Sequence, residues 1–300
     1  MINCQKRCGF ISVLGAPNAG KSTLINKLVG AKISIVSPKV QTTRTNVQGI
    51  IAVGQSQLIF CDTPGIMEPK KRLDRAMVSA AWASVSKSDL SMLIVDSKVG
   101  LDINTSSIIE KLTSNHKMPL LVLNKIDLVE KVKLLELTKA INNEGDFKKT
   151  YMVSAIHGDG LDALTRDISR SLPHSPWLFP PDQLSDMNSK SFAAEITRER
   201  IYHHLHQELP YSITVETEKW EQKVDGSIAI YQIVYVEHAR QKAIVLGKGG
   251  SKIKRISMEV RKSLEESLQK KLHIMLLVKV RAKWREDPDY YKQWDLDFYA

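Results

Sequence analysis

Residues 15–22 read Gly-Ala-Pro-Asn-Ala-Gly-Lys-Ser, a loop bounded by two glycines and closed by a lysine and a serine. The apolar run 10–14 comes before this loop, and a helical pattern over 21–29 follows it. The order therefore predicts a strand, a tight loop and a helix. The positive end of that helix would point at whatever the loop holds, which favours an anion.

The chemistry of this loop predicts a nucleoside triphosphate. Gly15 and Gly20 let successive backbone N–H groups face a phosphate, Lys21 reaches the outer phosphates, and the Ser22 hydroxyl suits Mg²⁺. A chance match is disfavoured because a strand precedes the loop and a helix follows it. The predicted nucleotide contacts comprise the whole loop, namely Gly15, Ala16, Pro17, Asn18, Ala19, Gly20, Lys21 and Ser22.

Short strand-like and helical stretches alternate up to residue 171. Strands are predicted at 10–14, 46–53, 57–61, 90–95, 119–123 and 150–153, and helices at 21–29, 71–86, 102–115, 131–142 and 160–171. Such alternation is typical of an α/β domain with a mostly parallel six-stranded sheet and helices on both faces. The short link 54–56 makes its two flanking strands an antiparallel hairpin at one end of that sheet.

Composition describes a soluble protein of about two domains, with 300 residues and a net charge of +10. No run approaches the roughly 18 apolar residues of a membrane span, and we find no signal peptide, so we expect the cytoplasm. Three cysteines without a paired CxxC motif argue against a disulfide framework or a zinc site. The positive charge suggests a polyanionic partner.

Four prolines within 173–181 rule out a continuous helix or a sheet ladder there. We place a linker at 173–189, between a first domain at 1–172 and a second at 190–300. In the second domain we expect a helix at 191–208, strands at 211–220 and 227–237, helices at 251–257 and 258–270, and a strand at 272–284. The second domain is thus a smaller α+β fold.

A second motif follows the strand 57–61. The residues are Asp62, Thr63, Pro64, Gly65 and Ile66. The Asp62 carboxylate at a strand end can hold Mg²⁺ through water, and the Gly65 N–H can sense the γ-phosphate. A plain turn is the alternative, which the upstream phosphate loop disfavours.

A third motif identifies the base. Its residues are Asn124, Lys125, Ile126 and Asp127, at the end of a very apolar strand. An aspartate here accepts hydrogen bonds from the N1–H and amine of guanine, a donor pair that adenine lacks. Ser154 and Ala155 follow the last strand, where a backbone N–H can meet the guanine O6.

The segment between the first helix and the hairpin is rich in hydroxyl groups. It reads Gln41, Thr42, Thr43, Arg44 and Thr45, and suits a mobile switch loop that orders around γ-phosphate and Mg²⁺. Thr43 is the preferred Mg²⁺ ligand, with Thr42 as the second choice.

In order and spacing, these motifs resemble the translation-factor-related class of GTPases. The resemblance implies Ser22 and Thr43 as Mg²⁺ ligands, Lys21 on the β- and γ-phosphates, and Asn124 and Asp127 at guanine. Many GTPases carry a water-orienting glutamine after the motif glycine, where this chain has Ile66. We therefore expect slow GTP hydrolysis, with Lys21 and Gly65 in catalysis and stimulation by a partner or by K⁺. Asn18 matches an asparagine that helps to hold K⁺ in such enzymes.

A basic glycine loop marks the second domain. Residues 239–262 contain eight Lys or Arg against one acidic residue. Within them a G-x-x-G loop opens a basic helix, and the predicted RNA contacts are Gly247, Lys248, Gly249, Gly250, Lys252, Lys254 and Arg255. The order helix, two strands, G-x-x-G, helix and strand matches a type II KH fold, whose loop clamps about four nucleotides.

Together the two domains resemble the bacterial Era family over nearly the whole chain. The resemblance implies a GTP/GDP switch that binds 16S ribosomal RNA near its 3′ end, assists 30S subunit assembly, and associates peripherally with the inner membrane. We expect a monomer in which GTP-ordered switch loops raise the affinity for RNA. The alternatives are a relative with another ribosomal target, and an RNA-binding protein whose nucleotide domain is structural. The acid-rich segment 286–300 would balance charge or shield the basic face.

Overall fold

The structure is a computed structural model and describes residues 6–37, 39, 42–205 and 209–300. Its described residues fall into two compact units. The first holds residues up to Ser34, Thr43–Asp186 and Tyr291–Ala300, and the second holds Ile35–Thr42 and Met187–Tyr290. Residues 35–42 belong to the second unit and residues 291–300 to the first, whereas the predicted domains assign them the other way round. The predicted linker 173–189 is divided, with its residues up to Asp186 in the first unit.

The first unit contains a six-stranded sheet and five helices among its described residues. The strands are β1 Arg7–Leu14, β2 Val47–Val53, β3 Ser56–Asp62, β4 Leu90–Asp96, β5 Leu120–Asn124 and β6 Lys149–Val153. The helices are α1 Lys21–Val29, α2 Arg72–Lys87, α3 Ile103–Ser114, α4 Lys131–Glu144 and α5 Leu161–Ser171. The predicted alternation is confirmed, with boundaries shifted by at most three residues; the largest shift is the start of β1, at Arg7 rather than at residue 10.

Strand order in this sheet is β2-β3-β1-β4-β5-β6. The β2–β3 pair is antiparallel and forms the predicted terminal hairpin, whereas the other pairs are parallel. Every residue of β3 and β5 is buried, so both strands are covered on both faces. The apolar sequence of β5 predicts this, whereas β3 also buries the polar side chains of Ser56, Gln57 and Asp62. Parallel strands bring their carboxyl ends to one edge, so the motifs after β1, β3 and β5 meet there.

The proline-rich segment is fixed to the first unit as far as Asp186. Its main anchor is the side chain of Gln57, which is fully buried. The Gln57 Nε2 donates to the Phe179 carbonyl over 2.9 Å, and the Leu178 N–H donates to the Gln57 Oε1 over 2.9 Å. Further along, the Ile50 N–H donates to the Leu184 carbonyl over 2.9 Å. The segment predicted as a linker therefore covers the edge of the sheet.

The second unit has a three-stranded sheet of order β7-β8-β9. Its elements are α6 Ser189–His204, β7 Ile213–Gln222, β8 Ile228–Val236, α7 Ala239–Leu246, α8 Ser251–Leu268 and β9 Leu272–Val280. The β7–β8 pair is antiparallel and the β8–β9 pair is parallel. A short helix, α9 Pro288–Gln293, follows.

Three details of the second unit correct the sequence analysis. Helix α8 is continuous, because Ile256, Val260 and Leu264 are buried at helical spacing across the expected break. Helix α7 is not among the predicted elements; it has only eight residues and ends directly at Gly247. Strand β9 ends at Val280 rather than at 284, since the chain turns at Lys283 (φ 53°) and buries Trp284. Among the described residues, no helix combines the length and apolar character needed to cross a bilayer.

Candidate functional site

The glycine loop lies between β1 and α1 in the first unit, and backbone geometry explains its two glycines. Gly15 has φ +152°, and a Cβ there would stand 2.3 Å from the Ile94 carbonyl oxygen. Gly20 has φ +96°, and a Cβ there would stand 2.2 Å from Nδ2 of Asn124. Both distances are far below any real carbon contact. Only glycine lets the loop pack against β4 and β5 in this way.

Lys21 is buried beneath the loop. Its Nζ donates to the Gly15 carbonyl over 3.0 Å and to the Ala16 carbonyl over 2.9 Å. Burial lowers the pKa of Lys21 to about 8, against the opposing effect of the negative charge on Asp62. The ammonium is therefore held inside the loop that would surround a phosphate chain. A triphosphate bound there would stabilise its charged form.

Three oxygen-bearing side chains from separate segments converge beside this lysine. The Ser22 hydroxyl donates to Oδ2 of Asp62 over 2.7 Å and lies 3.1 Å from the Thr43 Oγ1. The Asp62 Oδ1 is buried and accepts no hydrogen bond from the described residues. Burial raises the pKa of Asp62, while the Ser22 hydrogen bond and the charge of Lys21 oppose that rise.

This donor set fits Mg²⁺, which prefers carboxylate and hydroxyl oxygens. A hard cation would satisfy the unpartnered carboxylate oxygen and keep Asp62 ionised. The geometry favours Thr43 over the second choice, because the Thr42 hydroxyl instead donates to the Lys39 carbonyl over 2.7 Å. Gln41 of the predicted switch lies outside the described residues, and Arg44 is buried.

The segment after Asp62 packs directly on the glycine loop. The Thr63 hydroxyl donates to the Val13 carbonyl over 2.7 Å, and the Ile66 N–H donates to the Gly15 carbonyl over 3.1 Å. A Cβ on Gly65 would stand 2.8 Å from the Pro17 Cα. The Ile66 side chain lies in the hydrophobic core of the first unit. It therefore offers no polar atom to a water molecule near the phosphates.

The third motif ties three loops together. Asn124 donates from Nδ2 to the Ala19 carbonyl over 2.9 Å, and its Oδ1 accepts from the Ala155 N–H over 3.0 Å. Lys125 has φ 63°, and its Nζ donates to the Asn18 carbonyl over 2.8 Å and to Asp96 over 2.5 Å. Asn124 is thus a buried link between loops, and its predicted contact with guanine stays a prediction.

The Asp127 carboxylate is fixed by a hydrogen bond and ionised, so it can accept further hydrogen bonds. The Ser154 hydroxyl donates to its Oδ1 over 2.6 Å and keeps the pKa of Asp127 below its usual value. The His157 Nε2 lies 4.0 Å from its Oδ2. The carboxylate is therefore ionised at neutral pH, as reading the guanine N1–H and amine requires. Asp96 and His157 are not among the predicted site residues, although Asp96 ends strand β4 at the edge where the motifs meet.

The basic loop of the second unit has its own backbone signature. Gly247, Gly249 and Gly250 have φ values of 72°, 57° and 76°. A Cβ on Gly247 would stand 2.7 Å from the Lys252 Cβ, so the loop turns tightly onto α8. Lys248 and Lys254 are exposed, as is Arg255, whose Nε donates to Glu259 over 3.2 Å. The loop presents backbone and cations without bulky side chains in the way.

Comparison with known proteins supports both the GTPase domain and the KH domain. A family model described as 50S ribosome-binding GTPase matches residues 10–125, and one described as KH domain matches residues 208–285. GTPase Era of Bradyrhizobium diazoefficiens is 50% identical over 292 residues, covering 97% of this chain and 95% of that protein.

Two solved structures are similar over 96% of this chain and 98% of their own, each with a TM-score of 0.91 and 33% identity. One is Era in complex with MgGDPNP and nucleotides 1506–1542 of 16S ribosomal RNA. The other is an Aquifex aeolicus Era variant bound to GDP·AlF₄⁻. Half of the sequence is shared with a curated relative over nearly its full length, and the chain therefore belongs to the Era family of GTPases.

Proposed function

We propose that this protein is a GTP-operated switch that binds 16S ribosomal RNA near its 3′ end and assists maturation of the 30S subunit. The observation that carries the nucleotide half is the convergence of Ser22, Thr43 and Asp62. Thr43 comes from a segment remote from the glycine loop, so the complete oxygen set requires that segment to be in place. The Era structure with MgGDPNP and 16S ribosomal RNA supports the RNA half.

The residues divide the work of GTP hydrolysis among them. Ser22 and Thr43 would hold Mg²⁺ directly and Asp62 would hold it through water, and Mg²⁺ held there would supply positive charge opposite the β- and γ-phosphates. Lys21 would leave the loop carbonyls and bind the phosphate oxygens. The Gly65 N–H would face the γ-phosphate, and Asp127 would select guanine. Since Ile66 orients no water, intrinsic turnover is slow.

Stimulation by K⁺ is part of this proposal. Asn18 has φ 63° and lies in the glycine loop, where Lys125 also fixes its carbonyl oxygen. The Asn18 amide oxygen would help to hold K⁺ beside the phosphates, and the positive charge of that ion would stabilise the negative charge that develops there during hydrolysis. We expect kcat to be several-fold higher in K⁺ than in Na⁺ at matched ionic strength. Equal rates would remove the ion from the mechanism.

RNA binding would use the loop 247–250. Its backbone N–H groups can approach phosphates closely. Lys248 adds positive charge in the loop, and Lys252, Lys254 and Arg255 add it along the first turns of α8. A clamp of this kind holds about four single-stranded nucleotides.

Coupling between nucleotide and RNA would run through Ile35–Thr42, which belongs to the compact unit of the KH fold. Ile35 is buried in that unit's hydrophobic core, and the Val36 N–H donates to Glu199 over 2.9 Å. The buried guanidinium of Arg198 donates to the Thr42 carbonyl. Thr43 is the next residue, so a ligand that fixes Thr43 acts on the KH unit through one peptide bond.

The deciding experiment measures RNA affinity with GDP and with a non-hydrolysable GTP analogue, using a single-stranded oligonucleotide from the 3′ end of 16S ribosomal RNA. We expect binding at least about fivefold tighter with the analogue, and by reciprocity RNA tightens analogue binding equally. Arg198→Ala should abolish the difference, and Lys190→Ala on the exposed start of the same helix should preserve it. Equal affinities in the wild type would refute the switch.

Two alternatives give different results. A relative with another ribosomal target would crosslink to a different part of ribosomal RNA in the presence of GTP. If the nucleotide domain is only structural, the Lys21→Ala variant would retain the protein's RNA-binding activity. If the protein is an enzyme, the same variant loses multiple-turnover GTP hydrolysis. We further propose a cytoplasmic monomer with peripheral contact to the inner membrane, which sedimentation with and without membranes would test.

A further inference from the structure

The segment Tyr291–Ala300 packs within the first unit, although it directly follows the second unit along the chain. Tyr291 and Leu296 are buried, and the Leu296 N–H donates to the Tyr291 carbonyl over 2.8 Å, so the segment folds back on itself. The rings of Tyr291 and Phe298 meet edge to face, with centroids 4.9 Å apart. We call residues 291–300 the aromatic segment.

One contact of the aromatic segment is helix α2. Leu73, Ala76 and Met77 are buried in one hydrophobic cluster with Tyr291 and Leu296, and Trp294 and Phe298 pack against the same cluster. Ala81 and Val85 of α2 belong to the core cluster that also holds Ile66. Helix α2 thus buries apolar side chains on two sides, one of which faces the aromatic segment.

Two arginines of α2 extend that contact. The Arg72 guanidinium lies 4.4 Å from the centroid of the Phe298 ring, and the Arg75 Nε donates to the Ala300 carbonyl over 3.3 Å. Helix α2 follows the Asp62–Gly65 motif, which faces the γ-phosphate in the proposed function. The aromatic segment therefore holds the element into which that motif leads.

A second contact is Arg44. Its guanidinium is 4% exposed and lies 5.7 Å from the centroid of the Trp294 ring. The preceding residue is Thr43, whose hydroxyl lies 3.1 Å from that of Ser22. A desolvated cation over an indole face is among the stronger contacts of this type. Trp294 therefore contacts the residue that directly follows Thr43, a ligand of the proposed Mg²⁺ site.

We propose that the aromatic segment is a positioning element for both switch segments, with Trp294 holding Arg44 and the remaining rings holding α2. It acts through Thr43 and the Asp62–Gly65 motif rather than by touching nucleotide. This inference rests on the proposed Mg²⁺-nucleotide site. Its specific consequence is that the aromatic segment favours the GTP-bound form, because GDP lacks the γ-phosphate that both switch segments contact.

The test compares Trp294→Ala with Trp294→Phe in the full-length protein. Affinities for GDP and for a non-hydrolysable GTP analogue are measured in Mg²⁺, together with kcat and KM for GTP. We expect Trp294→Ala to weaken analogue binding about five- to tenfold and GDP binding less than twofold. Trp294→Phe retains an aromatic face and should recover most of the loss. Val132→Ala, an exposed position on α4, is the control and should match the wild type.

A purely structural role would give another pattern. Equal weakening of GDP and analogue binding, or unchanged affinities in a folded Trp294→Ala protein, would overturn the proposal. Phe298→Ala, which alters the α2 contact, is the second variant if Trp294→Ala does not fold, and the same selective loss is expected. These measurements contain no RNA, so failure of the RNA switch in the wild type is distinguishable from failure of this inference.

Discussion

The Ser22 hydroxyl donates a 2.7 Å hydrogen bond to Oδ2 of Asp62, although the two residues are forty positions apart. The bond joins the loop after β1 to the end of β3, which are adjacent parallel strands. A third oxygen arrives from Thr43, 3.1 Å from that of Ser22. The proposed Mg²⁺ site is therefore a property of the sheet edge as well as of the glycine loop.

Replacing Thr43 should reduce the part of the GTP affinity that depends on Mg²⁺. Thr43→Ala removes one oxygen ligand, so the Mg²⁺-dependent gain in GTP affinity should fall about tenfold or more. Titration of the labelled analogue with and without Mg²⁺ measures that gain. Thr42→Ala is the matched variant, because the Thr42 hydroxyl bonds to the Lys39 carbonyl, and its effect should be clearly smaller. The reverse ranking would assign the ligand to Thr42.

Proton uptake should accompany nucleotide binding at alkaline pH. Burial lowers the pKa of Lys21 to about 8, and a bound triphosphate raises it again. Affinity should therefore be constant well below pH 8 and decline as the pH rises through 8, because the neutral amine must then gain a proton. Calorimetry at pH 8.5 in buffers of different ionisation enthalpy counts that proton. Lys21→Met should show none.

Removing the buried charge of Asp62 should stabilise the ligand-free protein. Burial raises the pKa of Asp62 in the folded protein above its value in the unfolded chain, so the folded protein binds the proton more tightly. The free energy of unfolding therefore falls as the pH rises from the unfolded-state pKa of Asp62 through its folded-state pKa. At pH 7, Asp62→Asn should raise the melting temperature by about 2–4 °C for each kcal/mol by which it increases the free energy of unfolding. The same variant should lose Mg²⁺-dependent binding. A lower melting temperature without ligand would contradict this account of the carboxylate.

Two glycines of similar backbone conformation should respond differently to alanine. Gly20→Ala places a Cβ 2.2 Å from Asn124, so nucleotide binding should be lost with at least about 2 kcal/mol of stability. Gly30 ends α1 at φ +73° with nothing within 4 Å of its Cβ position. Gly30→Ala should cost about 1 kcal/mol and leave nucleotide affinity unchanged. Denaturant unfolding and analogue titration measure the two effects.

Salt dependence should rank the cations of the basic loop. Lys254→Ala should weaken RNA binding and reduce the slope of log affinity against log salt by about 0.7. Arg255 is paired with Glu259 over 3.2 Å, so Arg255→Ala should change the slope less. Filter binding of one oligonucleotide over a range of salt concentrations gives both slopes. Equal slopes would mean that RNA displaces Glu259 from Arg255.

Much of the first unit was predictable because its motifs are contiguous and follow apolar strands. Gly15–Ser22, Asp62–Ile66 and Asn124–Asp127 each end a buried strand, and parallel strands end at one edge. Thr43 as a Mg²⁺ ligand stays a prediction, which is favoured by the hydrogen bond that occupies the Thr42 hydroxyl. By contrast, both ends of Asn124 are bonded to backbone of other loops, which no local pattern reveals.

Long-range packing explains what the sequence did not show. Residues 35–42 carry no periodicity that would assign them to the KH unit, yet Ile35 is buried in its core. The charges of the acid-rich segment 286–300 predict only a charge-balancing or shielding role. In the structure the latter part of that segment packs through the buried side chains of Tyr291 and Leu296. A break is expected between residues 257 and 258, whereas α8 is continuous there because Ile256, Val260 and Leu264 are buried at helical spacing.

The buried pair of Lys21 and Asp62 has a consequence for the life of the protein in a cell. Without ligand, both charges lie out of water and oppose folding, whereas nucleotide and Mg²⁺ bind only the folded chain and stabilise it by mass action. Empty molecules therefore unfold more often and meet proteases more often than loaded ones. The amount of this protein should then follow the guanine nucleotide pool, and starvation that drains the pool would shorten its half-life.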